Sequence, residues 1–179
     1  RALCCFEVCM KYWILSVAIS FFASSALGNE CLYQKYKKYV DLQTQWQHDY
    51  SNLMVANHPE LKEVTYRYRD TQLALIEQRF IAFTIYVADA PEKIQTEKPL
   101  NQWLVLNPSI KNELSLQYPK FKIIDDKVEL YNSLGDHKDG DKAREVFRSE
   151  IALSQEFSRL LSRFNSNVSV LNDTSCPTT

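Results

Sequence analysis

Histidine most often serves as general base or metal ligand near neutral pH, and the chain carries three, His48, His58 and His137. They lie in three different segments. None stands three or four residues from another histidine, and none belongs to an HExxH pattern, so the spacing supplies neither a zinc pair nor a base beside one. His48 reads as a solvated side chain off the apolar face of a helix. His58 precedes Pro59, where a helix begins, and His137 falls in the polar turn "GDHKDG". That turn fails as a calcium loop: with Gly140 at its sixth position, Gly135 would stand first and Val146 twelfth, where a glutamate is needed. No metal site is expected.

Nucleophile patterns are missing as well. No GxSxG elbow, SxxK pair or CxxC follows residue 28, and the few glycines form no phosphate loop. No cofactor is expected. Asp125, Asp126 and Glu129 form an acidic cluster, the kind that does acid–base work when one member is buried. Lys122 and Lys127 stand beside them, so they read as a solvated face. The densest Tyr/Arg patch is "YRYRD". Tyr66, Arg67 and Arg69 are types enriched at binding hot spots and make a candidate partner surface. Tyr68 is expected to join an apolar stripe, and Arg67 to pair with Glu63 one turn earlier.

The cysteines depend on how the chain begins. Lys11, the apolar run Tyr12 to Phe22, and the small residues Ala26 and Gly28 make the three-part pattern of a secretory signal, with a cut before Asn29. The apolar run is short for a bilayer span of about 20 residues. Asn29 and Glu30 separate the cut from Cys31, which excludes a lipoprotein. Met10 is the natural start of such a signal, so Cys4, Cys5 and Cys9 are expected to drop out with residues 1–28. Cys31 and Cys176 then remain, and in an oxidising compartment such a pair is expected to be joined. Loop-closure entropy puts that bridge at roughly 5 kcal/mol. Export is therefore the expected fate, to the periplasm if the host is bacterial and otherwise outside the cell, with no stable membrane span once the signal is gone. Asn167 and Asn172 begin N-x-S/T triplets that matter where exported chains are glycosylated.

These residues need a scaffold, and the pattern is helical. The chain has 179 residues, a net charge of −1, 45% hydrophobic residues and only three glycines. That mixture suits one domain with its own core and offers no basic excess for nucleic acid. Leu32, Tyr36, Tyr39, Gln43, Trp46, Tyr50 and Leu53 recur at spacings of three and four, one face of a helix over 30–56. Gln43 is its polar member, read as the edge of that face. A second helix runs from Pro59 to about Ala90. Phe80 to Val87 carries no charge, so this helix is predicted to be central and deepest in its C-terminal half.

Pro91 to Pro119 reads as a connector with one or two short helices, one of them capped by Asn107 with Pro108 in its first turn. Pro119 to Leu134 has Phe121, Ile124, Val128 and Tyr131 at helical spacing, although "KFKII" also alternates like a strand. A last helix is expected from an Asp141 N-cap through Ile151 and Phe157 to Phe164, followed by a polar tail at 166–179. The domain is thus 29–165, and the expected fold is all-α: an antiparallel four-helix bundle with an irregular, short-helical connector between the second and third long helices. Four antiparallel rods return the chain to its starting pole, where Cys31 and Cys176 could meet.

The function expected from this pattern is binding to another protein, as an adaptor, inhibitor or protective partner in the cell envelope. One alternative is a pocket for an apolar or aromatic small molecule lined by Trp46, Tyr50, Phe80, Phe83, Tyr86 and Phe157. The other is an enzyme with a dispersed site, sought first in the connector.

Overall fold

The computed structural model describes the backbone of residues 4–177 and the side chains of 28–177. The leader reading, with Met10 and Cys4, Cys5 and Cys9, lies outside the described side chains. The chain is all-α: among the described residues there is no strand. Helix α1 spans Cys4–Asn57, α2 Lys62–Asp89, α3 Pro108–Gln117, α4 Pro119–Ser133, α5 Gly140–Ser149 and α6 Gln155–Asp173, and short 3-10 turns mark the joins. No described helix is long and apolar enough to cross a membrane.

The long rods alternate in direction. Asn29 Nδ2 donates to the carbonyl of Val87 (3.2 Å), so α1 and α2 run antiparallel. Glu77 faces Lys127 across α2 and α4 (3.4 Å). Trp46 and Phe164 pack with ring centroids 5.3 Å apart across α1 and α6. The neighbours follow the order α6, α1, α2, α4, which is compatible with the expected bundle. Cys31 and Cys176 are bonded, with Cα atoms 5.7 Å apart, so both ends of the domain share one pole.

Two cores fill the interior. At the disulfide pole Tyr36, Phe83 and Trp103 stack on one another above Phe121, Ile124 and Leu114. At the opposite pole Met54, Leu61 and Val64 pack against Ala143, Val146 and Ile151. Helix α2 is central and bears Ala82 and Phe83, both wholly buried. Gln43 keeps its place on the α1 face because its amide donates to the Tyr39 hydroxyl one turn back (3.1 Å).

Several expectations change. The "KFKII" stretch is helical: Pro119 opens α4, and Phe121, Ile124 and Val128 share its buried face. The segment "PLNQWLVL" is a single 3-10 turn, Leu100–Gln102, followed by extended chain. The last helix is two helices. Asp141 lies within the first turn of α5 and caps nothing. The break follows Glu150, where Ile151 turns into the core and Ser154 Oγ accepts from the Phe157 amide (3.1 Å) to start α6. The stretch beyond Phe164 is helical to Asp173, because Val168 and Leu171 pack against the core. Gly135 takes φ +65 just after α4, a conformation that suits glycine, and turns the chain toward α5.

Candidate functional site

The Tyr/Arg patch lies on α2 beside α4. Pro59, Glu60, Lys62, Glu63, Tyr66, Arg67, Asp70 and Tyr131 line an open groove of about 660 Å³. Several of the charged side chains there are already engaged. The Arg69 guanidinium lies over the Tyr66 ring at 4.1 Å and pairs with Asp70 at 2.8 Å. Lys62 approaches the same ring at 5.7 Å. Arg67 does not pair with Glu63. It reaches the α4–α5 turn, where its Nη2 donates to the Gly135 carbonyl, while Glu63 faces His137 Nε2 at 3.4 Å. Tyr68 leaves the apolar stripe and is exposed, and Thr65 is buried in its place. The patch is therefore a rigid, pre-paired rim, with Tyr66 held between two cations.

A second feature of the same region is the outer face of α4. Ile123, Leu130 and Leu134 run along the outward side of α4, directly opposite Phe121, Ile124 and Val128, and are 72%, 62% and 52% exposed. Leu116 of α3 is also exposed, at 78%. Lys120 and Lys127 border one side of the row, and Asp126 and Glu129 the other. The signal was available in α4, whose apolar residues fit two opposed faces when a peripheral helix needs only one.

The acidic cluster divides. Asp126 is exposed and pairs with Lys122 (2.7 Å). Asp125 overturns its reading as a solvated group: it is 8% exposed. Its carboxylate accepts from Gln78 Nε2 of α2 and from Ser115 Oγ of α3 (2.9 Å), with Lys111 Nζ 3.8 Å away. Gln78 is itself buried. The network ties three helices together, and a buried carboxylate satisfied by partners on two other helices fixes their register.

The histidines lie at the pole away from the disulfide, apart from His48. His58 joins Glu60 and Glu150 (3.5 and 3.1 Å), and His137, its side chain 7% exposed, sits between Glu63 and Asp139. His137 Nδ1 accepts from the Asp139 amide (3.1 Å). These contacts fasten α5 to the α1–α2 corner. Among the described residues no group of three His, Cys, Asp or Glu side chains is arranged to hold a metal.

Of the aromatic residues considered for a small-molecule pocket, Trp46, Tyr50 and Phe157 pack on each other, whereas Phe80 meets Tyr33, Phe83 meets Tyr36 and Trp103, and Tyr86 is buried in the core. Trp46 meets Tyr50, Phe157 and Phe164, and Phe147 meets Phe157 edge to face. A second cleft, about 790 Å³ and open to solvent, lies at the disulfide pole between the Pro91–Glu97 segment, Trp103 and the stretch Asn172 to Pro177. Lys35 crosses it. Its ammonium donates to the Asn172 and Thr174 carbonyls (3.3 and 2.6 Å) and lies 5.2 Å from the Trp103 ring centre. Comparison with protein-family models, curated proteins and solved structures finds no match.

Proposed function

We propose that this is an exported helical protein that works by binding another protein, through the α2–α4 groove and the adjoining outer face of α4. One observation carries the reading: Ile123, Leu130 and Leu134 stand exposed in a row beside the groove lined by Tyr66, Arg67 and Tyr131. Apolar rows on a charged surface mark contact sites, and Tyr and Arg at their margin are hot-spot types. The bordering charges describe the partner. It presents an apolar helix stripe, acidic where it meets Lys120 and basic where it meets Glu129. Export is supported by the Cys31–Cys176 bond, since such bonds are rare in reducing compartments; the exported product should begin at Asn29 on N-terminal sequencing.

The test is paired affinity capture from an envelope or secreted extract, with the wild type and an Ile123→Glu/Leu130→Glu variant. A stoichiometric partner should be held by the wild type and lost by the variant, with the two circular-dichroism melts superimposed. Recovery of the same proteins by both baits, or of none by the wild type, overturns the reading.

A further inference from the structure

Helix α6 differs from the other long rods in having no fully buried side chain. Its two halves are held differently. In the first half Phe157 meets Trp46 edge to face, Phe164 packs tilted against the same ring, and Arg163 pairs with Asp49. Beyond Phe164, among the described residues, the half-buried Val168 and Leu171 are the hydrophobic side chains packed against the core. The remaining ties of this second half gather at its end: the Cys31–Cys176 bond, the Lys35 hydrogen bonds to the Asn172 and Thr174 carbonyls, and Asn172 Oδ1, which accepts from the Leu100 amide (2.9 Å). Burial lowers the Lys35 pKa, against the opposing pull of Asp173, so the ammonium gains its hydrogen bonds at a desolvation cost.

We propose that the Cys31–Cys176 bond is a redox latch: reduction frees the segment from Asn165 to Pro177 to lift from α1, opening the cleft onto Leu100 and Trp103. Cys176 lines that cleft, so an external thiolate reaches the bond from solvent. A dithiol attacks one sulfur and breaks the S–S bond. Its second thiol resolves the mixed disulfide. Two electrons and two protons thereby pass to the chain as two thiols, and the reductant leaves as a disulfide. Without the bond, two half-buried aliphatic side chains, two exposed hydrogen bonds from Lys35 and one part-buried bond to Asn172 hold the last two turns, the composition of a segment that opens locally. The first half of α6 stays in place through its aromatic contacts, and the pole changes from closed strap to open cleft while α2 and α4 remain folded.

Hydrogen exchange with mass spectrometry on the folded chain, with and without dithiothreitol, tests the latch; alkylation confirms two free thiols, and a Cys176→Ser variant repeats the reduced state without reductant. In the reduced chain, peptides covering 165–175 and the Leu100 amide should exchange at least about tenfold faster than peptides from α2 and from 155–164. A common exchange rate for 165–175 and α2 in the reduced chain overturns the proposal, since the bond would then secure the whole fold and no separate strap would exist.

Discussion

Removing the Asp125 carboxylate should separate a structural network from an ornamental one. Asp125 is 8% exposed and accepts from Gln78, which is 3% exposed, and from the half-buried Ser115. In Asp125→Ala the Gln78 amide is left in the core without an acceptor, at about 1–3 kcal/mol, and two hydrogen bonds to a charged acceptor are lost. Relief from burying a carboxylate offsets part of this. The net loss should be about 3 kcal/mol, the sum of a stranded buried amide and lost hydrogen bonds less that relief.

Asp125→Asn keeps the shape. Its carbonyl oxygen can still accept from Gln78, and its amide can donate to Ser115 Oγ once that hydroxyl rotates, so the loss should be about 1 kcal/mol. Replacing both buried partners, as Gln78→Leu with Asp125→Leu, leaves only the half-buried Ser115 hydroxyl without its acceptor and should recover most of the stability lost by the alanine variant. Urea unfolding followed by circular dichroism reads all three, with unchanged slopes showing that the denatured state is comparable. Equal losses for the alanine and asparagine variants, or an alanine variant within about 0.5 kcal/mol of the wild type, would mean that water already reaches Gln78 and that the network does not hold the helices.

Burial pushes the Tyr36 phenol up to about 12, with Arg79 opposing and Tyr39 adding to the rise. The unfolded chain therefore ionises this tyrosine first, so the stability it confers is intact below pH 10 and lost as pH climbs from 10 toward 12, by about 3 kcal/mol in all. Tyr36→Phe should remove most of that slope in alkaline urea titrations, and a wild-type stability flat from pH 10 to 12 would contradict it. Ser154→Ala removes the acceptor for the Phe157 amide and should cost about 1 kcal/mol, raising exchange in the first turn of α6 while α5 is unaffected.

The fold class was legible because apolar residues three and four apart mark one helix face whatever that face packs against. That held for Tyr36 and Tyr39 on α1, and for Phe121, Ile124 and Val128 on α4. The Asn107–Pro108 start of α3 was equally plain, since the Asn107 side chain accepts from the Ile110 amide three residues on (2.9 Å) and needs no tertiary partner. The break at Glu150 was not legible. Periodicity runs through it unbroken, and only the inward turn of Ile151 into the far core, with α6 then lying along α1, shows that one helix cannot serve both. Asp125 was misread for a related reason: the neighbouring lysines are visible in the sequence, whereas Gln78, 47 residues away, is not.

The amino-acid order alone determined that the chain is helical, where its prolines and glycines divide it, and that Cys31 and Cys176 could pair. These follow from local sterics and from the parity of antiparallel rods. Only the tertiary structure decided which side of α4 faces solvent, leaving Ile123 and Leu130 bare. It alone placed a carboxylate among three helices and set Val168 and Leu171 of α6 against the core. Burial is set by what lies opposite a residue in space, and that partner is supplied by chain closure, not by neighbours in sequence.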